Sequence, residues 1–441
     1  MKKSFLLLLA VAASATMFAQ TDFPEGAAKG VFSVSENKQV YISQGNLYYK
    51  MAEWIGNFYF QDVDTAFVGT KHKWNSSEKD YLVDLFGWAT SGSDHFYPYL
   101  SSTNNADYYN VAHNLYDRWL NPANTDYILS AYDYDWGSNR IANGGNTEDQ
   151  WRTLGHYEWD YLLSRTDADG YPLAAFGCVR YQDIVCKGWF VLPDDWTDGK
   201  LFANPSSELD NQRWYSDYVD MVAKGAIFLP FAGYREGTTI YGDDDPKTTL
   251  AQGEMPEVGY YWCADGNLST YTATCMIFDG ADIWYETPER HIGAAVRLVQ
   301  DVKRNVKINN VFGTLTVTDN ENLPVKSFKT YDTSLSNGNS YQADIATGTK
   351  IFLDNAGNED KKLESWSVKY GDNEPVAYEP EKGILITTSD IVVTPIYKDI
   401  STSVEAAQTT RTNTARKLLR NGQIIILHDG KEYNVLGAEV E

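Results

Sequence analysis

The sequence predicts an α+β fold over its first two thirds and an all-β region behind it. Three observations carry this reading. Strand-like alternation opens the chain, two segments with helical periodicity follow, and many short strand-like runs come after them. The tryptophans then stop: residues 28–300 hold 12 of the 13, and only Trp366 lies beyond. That shift marks a domain boundary near Asp301 to Val306. Hydrophobic residues make up 43% of the 441 and aromatics 14%, enough to build cores in two or three domains. The formal net charge of −23 excludes nucleic acid and anionic membrane surfaces as expected partners, since both reward basic patches.

Residues 1–19 read as a secretory signal peptide. Lys2 and Lys3 precede the apolar run Phe5 to Ala13, and Ala19 ends a small-residue stretch. The run is too short to span a bilayer, and no other run reaches the length of about 18 residues that spanning needs. The expected location is therefore extracellular or on the outer cell surface, with no transmembrane segment. Export permits disulfides. Cys263 with Cys275, and Cys178 with Cys186, are the two local pairs considered. No C-x-x-C is present, so the four cysteines do not form a zinc motif.

The first large unit, residues 20–303, opens with Val31 to Ser35 and Gln39 to Ser43, joined at Glu36-Asn37-Lys38 as a turn. Leu47 to Lys50 and Phe58 to Phe60 continue the strand pattern. Gly87 to Gly145 reads as long loops ordered by buried aromatics such as Trp88, Trp119 and Trp136. Gln150 to Arg165 carries Tyr157, Trp159, Tyr161, Leu162 and Leu163 in a helical stripe, with Gly155 as N-cap and Glu158 three residues later. Leu209 to Lys224 is the second helix, with Trp214, Tyr218, Met221 and Val222 on one face and Gly225 as its C-terminal cap. Trp189 to Leu192, Ala226 to Leu229, Tyr260 to Cys263, Ala273 to Phe278 and Ala294 to Val299 read as strands. Residues 304–398 are expected to form a β-sandwich-like domain, 399–414 a polar linker, and 415–441 a C-terminal β-hairpin turning at Asp429-Gly430.

Several of these phrases resemble known families. Trp151 to Leu154 with Glu158 to Tyr161, then Gly259 to Trp262 and Ala295 to Val299, resemble segments of formylglycine-generating-enzyme-like (sulfatase-modifying factor) domains. The resemblance implies a C-type-lectin-like fold for residues 20–303. Asp84 to Trp88, Ser138 to Asn146, Leu192 to Trp196, and Phe228 to Pro230 with Ala232 to Arg235 are similar to phrases of secreted paralogues from Bacteroidetes and Fibrobacter. The catalytic enzymes of the family carry a cysteine pair near their last arginine motif. No cysteine lies near Val296 to Asp301, so the resemblance implies the fold without the formylglycine chemistry. Residues 304–398 resemble immunoglobulin-like or InlB-type β-repeats. Residues 415–441 resemble the sorting tails of type IX secretion substrates, which implies the type IX machinery as a partner.

The sequence has no G-x-S-x-G, P-loop or H-E-x-x-H motif, and none of the histidines at 72, 95, 113, 156, 291 and 428 pairs at ligand spacing. No cofactor is called for. Calcium is the one ion that the acidic turns Asp243-Asp244-Asp245 and Asp194-Asp195 can take. Trp136, Tyr234 and Tyr241 are candidates for stacking on sugar rings, with Arg235 beside them. The expected role is non-catalytic recognition or adhesion, with a surface glycan or protein as ligand. An altered enzyme or a structural surface component is the alternative.

Overall fold

The computed structural model describes residues 23–52, 55–61, 81–89, 126–128, 135–198, 211–236, 239–242, 255–267, 272–319, 322–335, 338–400, 415–420, 423–428 and 430–440. Among them 54% lie in strands and 7% in helices. The protein is therefore mostly β, built as many small sheets. This overturns the expectation of an α+β fold with a C-type-lectin-like domain. The physical reason lies in the helices, which are too short to make a layer. Helix α1, His156–Ser164, and helix α2, Tyr215–Ala223, have nine residues each.

Both helices begin later than their periodicity suggested. Trp151 to Leu154 is drawn into the sheet instead, because Thr153 donates its N–H and hydroxyl to Asp135 and Leu298 pairs with Thr153. Gly155 is the N-cap of α1, and its N–H donates to Glu158 at 3.0 Å. Only Trp159 and Leu162 of the α1 stripe are buried, while Tyr157 is 77% exposed. Helix α2 buries Tyr218 and Met221 and leaves Trp214, at its N-cap, 55% exposed. Gly225 ends it at φ +102°, a conformation that glycine alone adopts freely.

The chain divides into two compact units. The first takes residues 1–306 together with 343–351 and 384–391. The second takes 307–342, 352–383 and 392–441. Segment 343–351 joins the first unit through Thr347, whose N–H donates to Val302 and whose hydroxyl accepts from the Gln39 N–H.

The first unit is closed by its two ends. Phe32–Ser35 pairs with Lys38–Ile42, which pairs with Leu298–Asp301, which pairs with Arg152–Thr153. A second sheet has the order Gln212–Trp214, Ala174–Tyr181, Ile184–Val191, Ile227–Pro230. A third stacks Asp282–Glu286, Thr272–Asp279, Val258–Asn267 and Asp126–Ile128 in that order. Smaller sheets pair Leu47–Ala52 with Ile55–Phe60 and Tyr81–Val83, and Tyr234–Glu236 with Thr239–Tyr241. The buried tryptophans bind the loops to this frame. The Trp88 indole donates to the Cys263 carbonyl at 2.9 Å and that of Trp262 to the Phe86 carbonyl at 2.6 Å. Asn143 acts as a strand partner for Phe60, accepting its N–H at 2.7 Å and donating to its carbonyl at 2.8 Å.

Farther along, six strands run in the order Lys329–Leu335, Gly338–Ala346, Lys303–Val311, Ile391–Asp399, Lys361–Tyr370, Val376–Ala377. Leu315–Asp319, Lys350–Asn355 and Ile384–Leu385 form another sheet. The tail is a three-stranded meander, Arg416–Arg420, Gln423–His428 and Lys431–Tyr433, where a two-stranded hairpin was expected. The extra strand comes from Arg416–Arg420, whose Leu418 and Leu419 pair with Ile425 and Ile424.

A charged clamp holds the closing sheet. Arg152 donates to Glu158 at 2.7 and 2.8 Å and to Asp301 at 2.7 Å, while Lys38 lies 2.9 Å from Glu158. Burial favours the neutral acid at Glu158, but Arg152 and Lys38 outweigh it and hold the carboxyl at about 2, down from 4.5. The lowered carboxyl stabilises the fold fully above about pH 4.5 and loses that contribution as pH falls toward 2. Glu158→Gln is expected to lower the chemical-denaturation midpoint at pH 7. The gap to the unsubstituted chain should close between pH 4.5 and 2. A gap that stays constant across that window would exclude the clamp as the source of the acid limb.

Candidate functional site

The ribbon formed by Tyr234–Glu236 and Thr239–Tyr241 carries three of the four residues singled out for binding. Tyr234 pairs with Tyr241 across it, so their rings share one face. The rings stack at 5.0 Å between centroids, 16° from parallel. Tyr260, expected only as part of a strand, completes the cluster at 4.7 Å from Tyr234. Tyr234 is 8% exposed and forms the floor, while Tyr241 and Tyr260 are half-buried and present ring surface to solvent. Tyr260 escaped notice because it sits in an apolar run, Tyr260-Tyr261-Trp262, whose members read alike. Strand alternation turns Tyr261 toward one buried side of the sheet and Tyr260, with Trp262, toward the other, where Tyr260 is left half-buried.

Arg235 lies between these tyrosines in sequence and points away from them. It is fully buried, and its guanidinium donates to the Leu85 carbonyl at 3.3 Å. Its backbone exchanges two 2.8 Å hydrogen bonds with Gly293. A side chain at Gly293 would come within 2.9 Å of that guanidinium and of the Leu85 carbonyl, so only glycine fits the crossing. Arg235 is thus a support of the ribbon, and its expected place in the ligand contact is withdrawn. Trp136 is withdrawn as well. It is fully buried in the first core cluster, packed near Phe86, and no ring face remains for a sugar. Gly- and Asn-rich surroundings suggested a loop, but Asp135 caps a short 3₁₀ turn there and drives the indole inward.

The rim of the tyrosine cluster is charged. Glu257, whose N–H donates to Gly242, ion-pairs with Lys187. His291 is buried between Glu289 at 3.2 Å and Glu236 at 3.9 Å. Burial pushes its imidazole below the ordinary range, against the pull of both carboxylates.

Asp243, Asp244 and Asp245 lie outside the described residues. Asp194 is committed elsewhere. It accepts from the Ser33 N–H and hydroxyl, from Gln39 and from Arg165, which leaves it no role as a calcium ligand. Among the described residues no three His, Cys, Asp or Glu side chains converge as a metal site. A 200 Å³ cavity beside Asp135, Asp149, Arg152 and Asp301 is similarly spoken for. Asp135 accepts from Gly137 and twice from Thr153, and Asp301 from Arg152.

The two expected disulfides are absent, and strand register explains why. Cys275 is opposite Trp262, so Cys263, one residue on, faces the other side of the sheet. Cys186 is opposite Val179 and Cys178 opposite Lys187, which puts that pair on opposite faces too. All four thiols are buried and none is in a disulfide. Burial pushes the Cys263 and Cys275 thiols well above their ordinary value, so neither serves as a thiolate nucleophile.

No protein-family model matches the chain, and no curated protein matches it. A solved structure, the major pilin protein (T3.2) from Streptococcus pyogenes serotype GAS13637, matches over 33% of this chain at 17% identity, with a TM-score of 0.16. The match spans 64% of that pilin, less than two thirds of its length. A score that low carries no information on fold or role. Among the described residues no helix is long and apolar enough to cross a membrane.

The free-thiol arrangement is open to direct test. A thiol-reactive chromophore should label none of the four cysteines in the native chain and all four in denaturant without reductant. Labelling that requires prior reduction would contradict the register assignment.

Proposed function

We propose that the protein is a non-catalytic recognition or adhesion protein that works outside the cell and engages a surface glycan through Tyr241 and Tyr260. The stacked pair of Tyr234 and Tyr241 supports this reading most directly. It offers a flat, half-exposed aromatic face on a ribbon that a buried arginine holds in place. Such a face suits the apolar side of a pyranose. The net charge of −23 favours neutral ligands over anionic ones.

Export through the signal peptide at residues 1–19 and handling of residues 415–441 by the type IX machinery complete the proposal. The three-strand pattern of this segment supports the second part.

The purified chain should bind saturably to members of a broad glycan array. Tyr241→Ala should weaken that binding about tenfold, equivalent to about 1.4 kcal/mol, with the melting temperature unchanged. An array blank both with and without calcium would defeat the glycan reading. Deleting residues 415–441 should trap the chain inside the envelope, read by cell fractionation. Undiminished surface display of the truncated chain would rule out a sorting role for the tail.

A further inference from the structure

The second unit holds a cleft of its own, with a volume of about 550 Å³. That falls within the range of about 300–1,000 Å³ usual for small-molecule sites. Its wall is aromatic and fixed. Phe312 and Tyr397 meet edge to face at 5.1 Å. The Phe312 N–H donates to the Tyr397 oxygen at 3.0 Å, and the Tyr397 hydroxyl donates to Asn355 at 2.9 Å. Buried Asn355 in turn donates to the Phe312 and Thr314 carbonyls, both at 2.9 Å. The Tyr397 ring therefore cannot rotate out of the cleft without breaking this chain of bonds, which also fixes the Phe312 backbone beside it.

The opposite side is polar, and part of it is uncommitted. The Asn358 side-chain oxygen accepts from the Asp360 and Lys361 N–H groups at 3.0 and 2.8 Å. Those two bonds fix the amide and leave its nitrogen without a partner among the described residues. The Asp360 carboxylate likewise makes no hydrogen bond or ion pair among them. Lys361 reaches over the Phe312 ring at 5.8 Å, and its charge is taken up by Asp399. The cleft thus offers one free amide donor and one free carboxylate acceptor beside a rigid aromatic wall. Its unbalanced charge is negative, which turns away anionic ligands.

We propose that this cleft is a second binding site, specific for a neutral pyranose sugar. The apolar face of the sugar ring lies in the angle between the perpendicular rings of Phe312 and Tyr397. Of two adjacent hydroxyls, one accepts from the Asn358 amide and the other donates to the Asp360 carboxylate. The site is separate from the tyrosine face of the first unit and does not depend on it.

Saturation-transfer NMR and calorimetry on the full chain test this, with cellobiose, maltose, lactose, mannobiose and xylobiose as probes. At least one should bind. Its affinity should fall at least tenfold in Phe312→Ala and in Asp360→Asn and remain in Tyr241→Ala. Asp360 is exposed, so its substitution leaves the fold intact and keeps the test valid if Phe312→Ala unfolds. Failure of all five sugars to bind overturns the proposal, as does binding unaffected by Asp360→Asn. Binding lost in Tyr241→Ala and kept in both cleft variants also overturns it, while leaving the first-unit reading in place.

Discussion

The first unit depends on one pairing between distant parts of the chain. Ile42 lies opposite Val299, which joins the opening hairpin to the last strand of the unit. Everything between them must return to this point, so each intervening sheet is constrained at both ends. Arg152 reinforces the junction from within, bonding helix α1 through Glu158 and the final strand through Asp301. A planar guanidinium can make a paired fork of hydrogen bonds to Glu158 and still bond Asp301, a geometry that a lysine ammonium does not reproduce. Contacts this far apart in sequence are costly to close, and many hydrogen bonds are concentrated where they meet.

Buried arginines repeat the device elsewhere. Arg165 ties Leu162, Leu192 and Asp194 together, and Arg235 fixes the tyrosine ribbon to Leu85. Arg297 donates to Asn46 and to the Gln44 and Phe228 carbonyls, next to the Tyr261 hydroxyl that bridges Asn46 and Pro230. Burial pushes the Arg297 guanidinium down to about 10, still charged at neutral pH. Each of these side chains donates to buried or part-buried backbone carbonyls, those of Leu85 and Gln44 in connecting segments and those of Leu162 and Phe228 in a helix and a strand. In a fold made of short sheets and long connections, this is how irregular backbone is kept inside.

The sequence phrases that suggested a family therefore have structural duties. Leu85, Phe86 and Trp88 fill the core, Asn143 completes a strand edge, and Asp194 ion-pairs with the buried Arg165. Tyr260 lies within one of these phrases, Gly259 to Trp262, and Tyr241 lies outside them. Tyr241 stands on the ribbon that Arg235 supports, Tyr260 on the strand Val258–Asn267, and Phe312 and Tyr397 on a hydrogen-bonded wall. In both places a rigid element lies behind the aromatic ring, so a ligand of the kind proposed would meet a surface that needs little reordering.

Much of the strand order was legible in the sequence, because alternation and short apolar runs mark pleated segments whatever they pair with. The strands at Phe32–Ser35, Ile227–Pro230 and Thr272–Asp279 stand where the pattern put them. Gly155 and Gly225 likewise mark the ends of α1 and α2, since caps are local chemistry. The sequence also singled out Tyr234 and Tyr241. What it could not show was facing. Whether Cys263 meets Cys275, whether Trp136 or Tyr260 reaches solvent, and whether Arg235 contacts a ligand or Leu85 all turn on register. A shift of one residue reverses every side chain of a strand, and register is set by partners far away in the chain. The balance of helix and sheet was decided there too, when Trp151 to Leu154 joined the closing sheet and left α1 too short to form a layer.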